Sequence, residues 1–148
     1  MIAILLILFK QWDCFYMSEA TLCSNKDYIA TNLSIYFAHC NMTPCVFKEG
    51  DIAEMKIVFI PDEDMSAFRL RISTMLFFIR VNHPEYEQDG CLHDHGLCPL
   101  KADVYNFFTL SVRIPNVYIK KIYVVRVELY SGSKHLVCFD TTIKIEKN

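Results

Sequence analysis

Cys91 and Cys98 bracket His93 and His95 in the stretch Cys91-Leu-His-Asp-His-Gly-Leu-Cys98. Imidazole and thiolate are good zinc ligands, so this is the first place to look for chemistry. The spacing is that of neither a finger nor a ribbon, and an oxidising compartment joins the two thiols as a disulfide instead. The stretch therefore reads as a clasp, entered through Asp89-Gly90 and left through Pro99, that closes a short polar loop. Asp62, Glu63 and Asp64 are candidates for acid–base work, but three adjacent carboxylates in a turn are ordinarily just solvated. His39, His83 and His135 stand alone near turns or strand ends and read as exposed polar residues. A nucleophile needs a base in reach, and neither a Gly-x-Ser-x-Gly elbow nor the surroundings of a catalytic cysteine is present. With four glycines in the chain, no Gly-rich phosphate cradle is present either. No catalytic residue, metal or cofactor is assigned, and an enzyme is not expected.

The cysteines report on compartment instead. There are seven: Cys14, Cys23, Cys40, Cys45, Cys91, Cys98 and Cys138. Met1-Ile-Ala-Ile-Leu-Leu-Ile-Leu-Phe9 is an apolar run too short to cross a bilayer as a helix and suited to the core of a signal peptide. Ser18-Glu-Ala20 offers small residues at the spacing of a cleavage site, so residues 1–20 are read as a leader and 21–148 as one mature domain. Six cysteines then remain, an even number in a secretory context, and six allow fifteen pairings. Cys40 with Cys45 and Cys91 with Cys98 are the obvious local pairs, leaving Cys23 and Cys138 to tie the chain ends, though sequence alone leaves the other pairings open. The sequons Asn32-Leu-Ser34 and Asn41-Met-Thr43 make Asn32 and Asn41 candidate glycosylation sites. The expected location is extracellular, or the endosomal–lysosomal lumen.

Net charge is -2 and the pI is near 6.2. That excludes a nucleic-acid partner, whose affinity rests on clustered Lys and Arg. The longest basic run, Lys120-Lys121, near Arg113 and Arg126, reads as a solvated strand face, with a transient membrane contact as the competing reading. Hydrophobic residues make up 53% and aromatics 14%, more than a small soluble domain needs to pack itself.

The elements that position these residues are strands. Ile29, Thr31, Leu33, Ile35 and Phe37 share one parity, and Ala53, Met55, Ile57 and Phe59 another, which is the period of half-buried strands. Phe68, Leu70 and Ile72 alternate with Arg69, Arg71 and Ser73, and the run Met75 to Ile79 is read as continuing towards Val81. Residues 82–90 read as a loop by composition. Phe108, Leu110, Val112 and Ile114 form the next strand, ended by Pro115-Asn116; Tyr123, Val125, Val127 and Leu129 form another. Ser131-Gly-Ser133 turns the chain into a last strand over Leu136 to Ile145. About seven short strands with no long amphipathic helix give an all-β fold, an antiparallel β-sandwich.

Phe37, Met55, Ile57, Phe59, Phe68, Leu70 and Ile72 are read as facing one interior, together with Phe78, Phe108, Val112, Ile114, Val125 and Val127, with Pro115 at its rim. Phe77 and Phe107 are assigned to the same interior. These side chains either fill a core or line an apolar pocket, and periodicity does not separate the two.

The same residues resemble a family. Cys40-Asn-Met-Thr-Pro-Cys45 with Val46-Phe47-Lys48-Glu49-Gly50 resembles the Cys-Pro-x-x-Pro-Cys-x-Leu-x-x-Gly corner of the Niemann-Pick type C2 family, the sterol-binding branch of the ML lipid-recognition domain. Asp89-Gly-Cys91, Cys98-Pro99-Leu100 with Tyr105, and Leu136-Val-Cys138-Phe139 resemble three further segments of it, in unbroken order. The resemblance implies an immunoglobulin-like sandwich whose two sheets splay to hold a lipid, with bridges Cys23–Cys138, Cys40–Cys45 and Cys91–Cys98. It places Phe37 and Val112 at sterol-contacting positions, Ile114-Pro115 near the pocket mouth, and His83 where the family has a Phe. The clasp is one residue longer than the common version and Ser24 replaces a usual Gly, features similar to the arthropod branch. That implies a secreted monomeric carrier of a sterol, fatty acid or semiochemical. The alternative the resemblance implies is an innate-immune module presenting microbial lipid to a receptor.

Overall fold

The computed structural model describes residues 15–17, 20–23, 29–40, 44–76, 78–86, 88–93, 98–115 and 121–146. Residues 1–14, Asn41, Phe77 and His95, on which readings above rest, lie outside the described residues. Alternating apolar side chains make strands that bury one face each, and two such sheets satisfy each other by packing face to face. Among the described residues these strands are β1 (Phe15–Met17), β2 (Thr21–Leu22), β3 (Ala30–Ala38), β4 (Cys45–Lys48), β5 (Ile52–Pro61), β6 (Arg69–Leu76), β7 (Ile79–Asn82), β8 (Gln88–Asp89), β9 (Asn106–Arg113), β10 (Lys121–Ser131) and β11 (Lys134–Glu146). One sheet runs β1-β3-β5-β9. The other runs β2-β11-β10-β6-β7, with β4 on β11 and β8 on β6. Pairing is antiparallel except for β4, which lies parallel to β11 with Cys45 opposite Ile143.

The expected parities hold across the centre of both sheets. Ile57, Phe59, Phe108, Leu70, Val127 and Leu129 are each completely buried, joined in one apolar cluster with Ile35, Phe37, Met55 and Ile72. Burying a side chain of this size is worth roughly 1.5–3 kcal/mol, so the cluster is the main force holding the sheets together.

Two readings are corrected. The period expected from Ile29 to Phe37 breaks between Thr31 and Ser34, where the register with β5 shifts by one residue. Asn32 sits in that bulge with φ 53°, a left-handed conformation that asparagine tolerates better than branched residues. The shift turns Thr31 outward opposite Ile60 and sets Ala30 opposite Pro61. The run read as continuing from Met75 to Val81 is instead a hairpin: β7 folds back on β6, with Leu76 opposite Ile79. A short apolar run carries no signal for a tight reversal when no Gly, Pro or Asn marks it.

The chain leaves β3 through the Cys40–Cys45 bridge, which carries it across to the other sheet, where β4 pairs with β11. Gly50, at φ 85°, completes the turn into β5 and donates to the Ile114 carbonyl at 2.9 Å. Residues 82–90, read as a loop, contain the 3-10 turn Pro84–Tyr86 and the short β8. The third and longest-range bridge, Cys23–Cys138, spans 115 residues and is reinforced by the Cys23 amide donating to the Cys138 carbonyl at 3.2 Å. The three pairings are those that the resemblance implied. Replacing Cys23 and Cys138 together by serine should lower unfolding free energy by about 2–5 kcal/mol, and replacing Cys40 and Cys45 should cost roughly half as much, because the shorter loop restrains fewer unfolded conformations. Urea unfolding of the two double variants checks the order.

Candidate functional site

The inner faces of the two sheets differ from one end of the sandwich to the other. At one end Phe68 meets Phe108 edge to face, ring centroids 5.4 Å apart at 78°. Leu100, completely buried, is held there by paired backbone bonds with Met65, 2.8 and 3.1 Å long. The Cys91–Cys98 clasp closes this end. Its entry residue, Gly90, donates to the Phe68 carbonyl at 2.8 Å, and a Cβ on Gly90 would collide with the Phe68 ring. The Asp-Gly-Cys sequence thus has a packing reason: only glycine lets the clasp lie flat on that ring, while Asp89 Oδ1 accepts from the Cys91 amide at 2.9 Å. Asn106, inward and buried, is satisfied by the same turn region, donating to the Lys101 and Val104 carbonyls at 3.0 and 2.9 Å.

Towards the other end the walls loosen along three strands. On β9 the sequence Phe108, Leu110, Val112 goes from 0% and 1% exposure to half-buried. On β10 Leu129 and Val127 are closed off, whereas Val125 and Tyr123 are half-buried. On β6 Leu70 and Ile72 are buried and Thr74 is half-buried. Thr74 stands opposite Val125 on one side and Val81 on the other, so these residues share the inner face. The far side of this end stays shut: Phe37 and Phe47 pack with centroids 5.9 Å apart, and Ile114, Ile143 and Ile145 are buried. The half-buried inner residues therefore gather at a corner between the ends of β9, β10, β6 and β7.

The 3-10 turn spans that corner. Tyr86 donates its hydroxyl to the Arg113 carbonyl at 2.8 Å, linking the segment after β7 to the edge strand of the opposite sheet. Burial first, and the Glu85 carboxylate second, push the Tyr86 phenol above its ordinary range, so it stays protonated and donating. His83 lies at the same place, its Nε2 2.9 Å from Thr74 Oγ1 and its Nδ1 3.5 Å from Glu85 Oε1.

Of the residues expected in the interior, Phe37, Met55, Ile57, Phe59, Phe68, Leu70, Ile72, Phe108, Ile114 and Val127 are buried together. Val112 and Val125 pack against that cluster from the open end. Pro115 is exposed beyond Ile114. Phe78 is not in the interior: it is 99% exposed at the tip of the β6–β7 hairpin, and Phe107, 49% exposed, faces out beneath Lys56, whose Nζ is 4.9 Å from its ring. Thr74, Val81 and Tyr86 were missed. Thr74 shares the parity of Leu70 and Ile72, a signal present in the sequence but masked by its polarity.

The acidic turn is structural: Glu63 pairs with Lys134 at 2.7 Å and Asp64 accepts from the Ala102 amide at 2.8 Å. Asn32 is exposed. Among the described residues no helix is long and apolar enough to cross a membrane.

The family model described as "ML domain" matches residues 18–145. The chain belongs to the ML domain family. Within reach of that family it is 30% identical over 99 residues to the ecdysteroid-regulated 16 kDa protein of Manduca sexta, covering 66% of this chain and 68% of that one. Its fold is similar to a Niemann-Pick type C2 protein from the Japanese carpenter ant, with a TM-score of 0.65 at 14% identity over 85% of this chain and 99% of the other. Chicken MD-1, solved in complex with lipid IVa, has a TM-score of 0.50 at 12% identity over 86% of this chain and 96% of the other. Gly90→Ala should destabilise the domain by about 1–3 kcal/mol, because the Phe68 ring must leave its place to admit a methyl group; a drop in thermal midpoint with the fold retained by circular dichroism checks it.

Proposed function

We propose that this ML domain is a secreted carrier that encloses the apolar part of one lipid between its sheets and shields it from water. The observation that carries the reading is the gradient of burial along β6, β9 and β10, closed around Phe68 and Phe108 and open around Val112, Tyr123 and Val125. An apolar chain entering there removes its own surface and that of the half-buried wall from water, at roughly 25 cal/mol per Å². The ligand named in the chicken MD-1 complex and the lipid-recognition resemblance support the class of cargo. The three bridges and the exposed sequon at Asn32 support a secretory route, with residues 1–20 removed as a leader. Cleavage there removes β1, whose Phe15 pairs with Ala38, and leaves β3 as the sheet edge.

Loading requires meeting a lipid source. Phe78 and Ile79, 99% and 68% exposed, form an apolar tip on the β6–β7 hairpin beside this corner, which a lipid surface can receive. Cargo then passes between membrane and corner when the Tyr86–Arg113 link lets go.

Native mass spectrometry of the secreted protein should show one lipid per chain, and Val125→Trp, which fills the open end, should abolish it. An empty wild-type protein with no displaceable apolar dye would mean a filled core. Phe78→Ser should leave cargo affinity unchanged yet slow lipid transfer between vesicles several-fold, read by fluorescence dequenching.

A further inference from the structure

Removal of residues 1–20 as a leader changes one strand edge directly. β1 is seated on β3, antiparallel, with Phe15 opposite Ala38, Tyr16 opposite Phe37 and Met17 opposite Tyr36. Without β1 that sheet runs β3-β5-β9, and the β3 backbone that received β1 is released. A released edge is a template for another strand, and soluble proteins ordinarily blunt it with charge, proline, a bulge or shortness.

β3 makes little use of these devices. Its sequence, Ala-Thr-Asn-Leu-Ser-Ile-Tyr-Phe-Ala, holds no Asp, Glu, Lys, Arg or Pro. The bulge at Asn32 falls near its start, and from Ser34 to Phe37 the pairing with β5 is regular. Other outer strands are better guarded. β9, at the far side of the same sheet, ends in Arg113, whose carbonyl accepts from Tyr86. In the other sheet β7 carries Arg80, β4 carries Lys48, and β2 is only 2 residues long. The strand that β3 does accept is Phe-Tyr-Met, uncharged and rich in aromatic residues that favour strands. Ile35-Tyr-Phe37 of β3 itself has the same chemistry, so a second copy offers the edge a strand like the one it has lost.

We propose that the leader-free chain pairs its β3 edge with β3 of a second copy, antiparallel and about a twofold axis. The inference rests on leader removal as read above and adds the partner. A symmetric register over the regular stretch is centred on Tyr36, which then stands opposite Tyr36 of the second copy. Residues opposite each other share a face of the sheet. Ile35 is thereby set beside Phe37 of the second copy on the inner face, where both are buried in each domain, and the half-buried tyrosines meet on the outer face. One continuous sheet, β9-β5-β3-β3-β5-β9, results. The corner beside β9 lies at the opposite edge of that sheet, so pairing through β3 leaves it uncovered.

N-terminal sequencing of the secreted protein reads the leader, and sedimentation over a roughly hundredfold range of concentration reads the pairing. A chain beginning at Thr21 should form a concentration-dependent dimer. A form beginning at Phe15, which keeps β1, should remain a monomer. Tyr36→Lys opposes two like charges across the axis and should raise the dissociation constant about tenfold or more, with circular dichroism unchanged. A leader-free chain that stays monomeric at every concentration overturns the pairing and leaves the carrier reading intact. So does a dimer of equal strength in either the form that keeps β1 or Tyr36→Lys. A secreted chain that retains Phe15–Met17 overturns the leader reading and the released edge together, whatever lipid it carries.

Discussion

The contact between Phe68 and Phe108 is the constraint on which the rest of the structure depends. It joins the two sheets at one end, and a T-shaped pair of this kind adds about 0.5–1.5 kcal/mol to the burial of the two rings. Every neighbour is arranged to keep it. Gly90 lies against Phe68 without a side chain, the clasp cysteines pack on the core beside it, and Leu100 is pinned by backbone bonds to Met65. Because that end is fixed, the other end is free to be looser without loss of the domain.

The looseness is directional. Where β3, β4 and β11 converge, the Cys40–Cys45 bridge and the Phe37–Phe47 contact shut the gap. Where β9 approaches the ends of β6, β7 and β10, the inner residues are half-buried and a hydrogen bond from Tyr86 to the Arg113 carbonyl crosses from sheet to sheet. A looser corner suits the reversible enclosure proposed above, since parting it leaves the packed end untouched.

The corner also separates two uses of polarity. Asn106 and Ser73 are buried polar groups tied down by neighbours, through the Lys101 and Val104 carbonyls and the Arg80 guanidinium, and serve to fix turns and edges. Thr74 is half-buried on the inner face and engages His83 Nε2 at 2.9 Å.

Much of this was legible in the chain itself. Period-2 alternation gave the strands because successive side chains point to opposite faces, so Ile57, Phe59, Leu70, Phe108 and Val127 had to be interior once the fold was a sandwich. The cysteine segments carried the family and its pairing. The β6–β7 hairpin was not legible, because the reversal at Phe78 uses no turn-forming residue, and neither was the bulge at Asn32, because one inserted residue is invisible to composition. Phe78 and Phe107 illustrate the limit: hydrophobicity says that a ring prefers to be buried, but only the register decides whether it can be. The opening was undecided for the same reason. Which inner residues are closed off and which stay half-buried depends on the distance between sheets, a quantity set by long-range packing and by where Tyr86 reaches across, and no local pattern encodes it. The sequence by itself determined the strands, the bridges and the apolar character of the interior; the tertiary structure alone decided where that interior meets water.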